Sequence, residues 1–128
     1  TGWTLTQFQW QYYDTYWQLY GQVGTTSLTA KSDSTYTLTN YNKLNFSVWT
    51  EWINASSSTT ITVKAHLCST STSCTQIWSK TFNYSSSHMK SESFNLNISS
   101  YTGNYYIKFT ASKPSSALTN IGSVYLKG

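Results

Sequence analysis

Few side chains in this sequence can move protons or form covalent intermediates. There are four carboxylates, Asp14, Asp33, Glu51 and Glu92. Hydrolysis of a glycosidic bond needs two of them facing each other. Asp14 and Glu51 are the candidates for such a pair, and nothing in their spacing brings them together. His66 and His88 stand in no nucleophilic motif, and the many serines include no Gly-x-Ser-x-Gly elbow. No two carboxylates are close enough in sequence to build a strong calcium site. The expectation is a chain that is not an enzyme and holds no metal or cofactor.

The cysteines tell more. Cys68 and Cys74 flank Ser69-Thr70-Ser71-Thr72-Ser73, a spacing that suits a disulfide across a short loop. Zinc normally takes four protein ligands in a structural site, and only His66 lies nearby. A disulfide implies an oxidising, extracellular setting: secreted, cell-surface or virion. The alternative is two free thiols in a reducing compartment.

The aromatic residues carry the strongest signal. They make up 17% of the chain, with eleven Tyr and six Trp, which excludes disorder. Tyr and Trp offer rigid contact area with a polar tip, and the apolar faces of sugar rings stack on such surfaces. Trp10, Tyr12, Tyr13, Tyr16 and Trp17 crowd one stretch, interleaved with glutamine; Gln7, Gln9 and Gln11 alternate with Phe8, Trp10 and Tyr12. They are either a binding platform or core filling. Trp52 falls on the apolar face of its strand and is expected inside. Trp49 falls on the polar face and is expected outside.

These residues must be positioned by strands. Alternating apolar and polar runs recur between Ser, Thr, Asn and Gly clusters, and no stretch holds a helical period. The clearest strand is Leu44–Ile53, with Leu44, Phe46, Val48 and Trp52 on one face. Thr60–Leu67 and Thr75–Tyr84 follow. About nine short strands, most with one apolar face, predict an all-β fold of two packed antiparallel sheets. The 128 residues fit one domain, 1–128.

Register then gives a specific expectation. If Leu44–Ile53 pairs with Thr60–Leu67 as a hairpin, Trp49 lies opposite Lys64 and Ser47 opposite His66. If Cys68 and Cys74 face each other across the next hairpin, Lys64 lies opposite Trp78 and His66 opposite Gln76. Trp49, Lys64 and Trp78 would form a row away from the core, with His66 and Gln76 beside it. The site residues expected on this basis are Trp49, Lys64, Trp78, His66 and Gln76, with Trp10, Tyr12, Tyr13 and Trp17 as a second platform.

Charge bounds the partners. The net charge is +4, carried by lysines with no arginine. No two lysines are adjacent, and arginine is the favoured reader of bases, so nucleic acid is not expected. No segment approaches the roughly 20 apolar residues of a membrane span. The chain opens on Thr1-Gly2-Trp3 in strand-like sequence, which reads as a mature product or a piece of a larger protein. Four Asn-x-Ser sequons, at Asn45, Asn54, Asn83 and Asn97, arise readily in a chain this rich in Asn and Ser.

Several segments carry a resemblance. Gly2-Trp3 opens the chain, Gly24-Thr25-Thr26-Ser27-Leu28 follows the first aromatic strands, and Ile121-Gly122-Ser123-Val124-Tyr125-Leu126 closes it. This resembles the jelly-roll β-sandwich of carbohydrate-binding modules with a galactose-binding-like fold. The segments from Leu38 to Phe46 and from Asn97 to Ile107 are similar to modules in tail and fibre proteins of phages that infect Gram-positive bacteria, and in their hosts' surface proteins. The resemblance implies a jelly roll that binds a glycan or polysaccharide without cleaving it. The acidic calcium ligands common in such modules find no match here. The other readings are a receptor-binding or adhesin head that recognises a protein on a host surface, possible as a homo-oligomer, and a purely structural module.

Overall fold

The computed structural model describes residues 2–13, 16–53 and 57–128, and the side chains of Tyr13 and Tyr16 fall outside that description. Asp14, Tyr13 as a contact residue and the sequon at Asn54 therefore lie outside the described residues. Among the described residues eleven strands follow in order: β1 (Trp3–Thr6), β2 (Phe8–Tyr13), β3 (Tyr16–Gly21), β4 (Ser27–Ser32), β5 (Tyr36–Thr37), β6 (Lys43–Trp52), β7 (Thr59–Cys68), β8 (Cys74–Tyr84), β9 (His88–Asn97), β10 (Asn104–Ser112) and β11 (Ala117–Lys127). The first sheet runs β1-β4-β10-β7-β8, with β5 also on β10; the second runs β2-β3-β11-β6-β9. Every pairing between these strands is antiparallel.

Alternation dictates what goes inside. In β6 the residues Leu44, Phe46, Val48, Thr50 and Trp52 are all buried while their neighbours are half exposed. β7 buries Ile61, Val63, Ala65 and Leu67 in the same way. These two faces meet across the gap between the sheets. Phe46 of β6 lies 5.1 Å from Phe109 of β10 and 5.0 Å from Trp78 of β8, both in the opposite sheet. Thr50 sits on the core face, and the Tyr84 hydroxyl from the other sheet donates to its carbonyl at 3.1 Å. Burial pushes the Tyr84 phenol above its ordinary range, so it stays neutral in that contact.

The expected hairpin between β6 and β7 does not form. β6 pairs with β11 and β9, whereas β7 pairs with β10 and β8. The apolar face of each strand is the one its alternation predicts, but the two faces belong to opposite sheets rather than lying side by side. The β7–β8 hairpin does form, with Cys68 opposite Cys74 and His66 opposite Gln76. A bulge between Ala65 and His66 then shifts the register, placing Trp78 opposite Ala65 and Ser79 opposite Lys64. One extra residue sends the side chains beyond it to the other face, so Trp78 turns inward.

Two local features shape the sheet crossings. The chain leaves the first sheet for the second at Gln7, whose φ of 65° lies in the left-handed region. Gly21 ends β3 where the sheets approach closely: a Cβ there would sit 2.6 Å from the Thr119 carbonyl oxygen and 2.7 Å from Leu28. Only glycine allows that approach.

Candidate functional site

The outer face of the second sheet carries a groove. Register builds it from two rows that cross all five strands. One row is Gln9–Tyr20–Asn120–Trp49–Ser91, from β2 through β3, β11 and β6 to β9. The next is Gln11–Gln18–Gly122–Ser47–Ser93. The space between and beside them is about 480 Å³, lined by Gln11, Gln18, Tyr20, Ser47, Trp49, Asn120 and, at one end, Leu118, Met89 and Ser91. Both edge strands contribute, so the groove runs from one edge of the sheet to the other.

The chemistry of this groove is aromatic plus amide. Trp49 is half-buried, as expected for a ring that rests on a sheet and leaves area open. Asn120 beside it is 7% exposed, and its Oδ1 has no hydrogen-bond partner among the described residues. A buried acceptor without a donor costs about 1–3 kcal/mol; this oxygen is enclosed beneath the floor of the groove, and the amides that face the open space are those of Gln11 and Gln18. Gly122 carries no side chain between Gln18 and Ser47, which leaves the floor low; a Cβ there would make only ordinary van der Waals contact with them. Glu51 stands on the same face, opposite Met89 and Leu118. Asp33 belongs to the other sheet's side, where it accepts from Thr4. Among the described residues no group of three or more His, Cys, Asp or Glu side chains converges to hold a metal ion.

The structure divides the expected site residues among four places. Trp49 lies in the groove. Lys64 and His66 lie on the outer face of the first sheet, with Gln76 opposite His66, so they share no surface with Trp49. Trp78 packs inward, 5.0 Å from Phe46 and 4.5 Å from Phe94. The expected row of Trp49, Lys64 and Trp78 is thus overturned by the sheet assignment and the β8 bulge. Trp10, Tyr12 and Trp17 cluster on the β2–β3 hairpin: Trp17 lies 6.5 Å from Trp10 and 5.3 Å from Tyr12. Trp17 is 58% and Tyr12 56% exposed. They project from the core-facing side of the second sheet near its edge, so they form a patch separate from the groove.

The predicted disulfide is present, joining Cys68 and Cys74 with Cα atoms 3.9 Å apart. His66 donates to or accepts from Thr110 Oγ1 at 3.3 Å. Burial, and then the charges of Lys108 and Lys64, hold its imidazole below the ordinary histidine range. Nothing in the local sequence marks Tyr20, Gln18 and Asn120 as groove residues. The alternation of glutamines with aromatics over Gln7–Tyr12 is the only signal near them, and it does not say which strands meet.

No protein-family model and no curated protein sequence matches the chain. Solved structures do match its fold. A carbohydrate-binding module described as specific for non-crystalline cellulose, CBM28, aligns over 99% of this chain and 87% of its own, with a TM-score of 0.67 and 10% identity. The K3 adhesin domain of Lys-gingipain from Porphyromonas gingivalis aligns over 98% and 91%, at a TM-score of 0.60 and 10% identity. The mannan-recognising module TmCBM27 aligns over 98% and 87%, at a TM-score of 0.57 and 8% identity. The chain has the jelly-roll β-sandwich architecture of these modules.

Proposed function

We propose that this chain is a non-catalytic carbohydrate-binding module that holds a polysaccharide chain in the groove on its second sheet. The observation that carries the reading is the row Gln9–Tyr20–Asn120–Trp49–Ser91. It sets one indole between Asn120 and Ser91, in a groove that reaches both sheet edges. The indole face stacks on a sugar ring. The amides of Gln11 and Gln18, which line the open space, reach the sugar hydroxyls. Four strand spacings of about 4.8 Å give room for several rings in line, so an internal stretch of a chain suits the groove better than a single sugar. The fold likeness to modules described as recognising cellulose and mannan supports the same reading. With its disulfide, the module belongs in a secreted or surface-exposed protein, where it would dock a larger assembly onto a glycan.

Calorimetric titration with soluble β-glucan, mannan and galactan oligosaccharides tests this. At least one is expected to bind, and Trp49→Ala should weaken it on the order of tenfold or more, the scale of losing a stacked ring. Gln18→Ala should weaken it too, because its amide lines the groove. Undiminished binding by both variants would place the site elsewhere.

A second reading is favoured by one observation, the exposed Tyr12 and Trp17 on the β2–β3 hairpin. There the module would contact a protein receptor or a second copy of itself, as an adhesin head does.

A further inference from the structure

The opposite face of the molecule has a different chemistry. Across the first sheet, register sets Thr4, Lys31, Lys108, His66 and Gln76 in one row. The adjacent row is Thr6, Thr29, Thr110, Lys64 and Ser79. Three of the lysines and one histidine therefore stand on neighbouring strands, with no carboxylate in either row. Asp33, just past the end of β4, borders this face and accepts from Thr4. Neighbouring strands lie about 4.8 Å apart, so Lys31 to His66 spans about 10 Å. That is close to one screening length at about 0.1 M salt, and the charges act together. Beside them a groove of about 490 Å³ is lined by Thr29, Thr62, Lys64 and Thr110. Its walls offer hydroxyls.

We propose that this outer face of the first sheet is a second binding surface, for an acidic polysaccharide bearing carboxylate or sulfate groups. Lysines give point charges for the anionic groups, and threonine hydroxyls bond the sugar hydroxyls between them. Nucleic acid fits less well. Binding to a single strand relies on aromatic platforms for the bases, and neither row holds an aromatic residue. Tyr106, next in line on β10, has the Lys31 ammonium 4.2 Å from its ring centre. No arginine is available for bidentate phosphate contacts.

His66 makes the surface proton-sensitive. It is faced by Lys108 and Thr110 of β10 and by Gln76 of β8, with Lys64 beside it on β7. Burial and the two lysines disfavour its charged form. A bound polyanion favours that form, so the pKa in the complex lies above that in the free protein. Affinity must then rise as pH falls through the histidine range.

The test is titration of the folded domain with polygalacturonate and dextran sulfate, using uncharged dextran as the control polymer. Wild-type protein is expected to bind the two acidic polymers, more weakly at high salt and more tightly at about pH 5.5 than at about pH 7.5. The double variant Lys64→Gln/Lys108→Gln should lose on the order of tenfold in affinity. Lys43→Gln/Lys127→Gln, which removes the same charge from paired positions on the second sheet, should lose little. Trp49→Ala should bind the acidic polymers as wild type does, which separates this surface from the groove. Equal losses in both double variants would reduce the effect to net charge and overturn the proposal. So would absence of binding to either acidic polymer. A single-stranded DNA oligomer bound as tightly, with the same lysine dependence, would overturn the choice of polysaccharide.

Discussion

Trp78, half-buried, rests edge-on against Phe46 at 5.0 Å and tilted against Phe94 at 4.5 Å, on the inner face of its sheet. Truncating it empties that space, and Trp78→Ala is expected to cost on the order of 3 kcal/mol. Trp49 lies on the outer face with open solvent on one side, so Trp49→Ala should cost much less. Thermal melts of the two variants separate the cases; equal losses would mean that Trp49 is structural. The pair also marks how far sequence reaches at this scale. Trp49 sits two residues from Ser47 and Glu51 on a strand of clean alternation, and its outward position was legible. Trp78 follows a bulge with no local signature, and its parity flipped unseen. Asn120 was illegible for another reason: its partners Tyr20 and Trp49 come from strands far away in sequence, and alternation says nothing of which strands meet.

The same limit recurs between elements. The apolar faces of β6 and β7 were readable residue by residue, and so was the sandwich they build. Their loop is long enough for either a hairpin or a crossing between sheets, and burial demands only that both faces be covered. Here they cover each other, while β6 takes β11 and β9 as neighbours. The β7–β8 turn was better constrained because the cysteines pinned it. There the Ser69 N–H also donates to the Ser73 carbonyl at 2.9 Å, so the loop is held twice. For a loop this short the chain-entropy account gives about 2 kcal/mol to the disulfide. Cys68→Ser/Cys74→Ser is therefore expected to melt lower by that scale yet keep its fold and its glycan affinity. A variant that fails to fold in denaturant titrations would show that the bridge organises more than its own hairpin.

At the scale of the whole molecule, the sandwich presents two broad faces of unlike character. One is a groove of amides and aromatic rings; the other is a field of lysines and threonines. The Tyr12 and Trp17 patch lies at the hairpin edge, away from both rows of the groove. The central claim is that the groove, and not that patch, holds the sugar chain. The six tryptophans offer a direct readout, since each gives one indole N–H signal in a nitrogen-correlated proton NMR spectrum. Trp49→Phe, Trp78→Phe and Trp17→Phe assign three of them by disappearance. On titration with the oligosaccharide that binds best, the Trp49 signal is expected to shift progressively, while those of Trp78 and Trp17 stay in place. A shifting Trp17 signal with Trp49 unmoved would contradict the account and move the site to the β2–β3 hairpin.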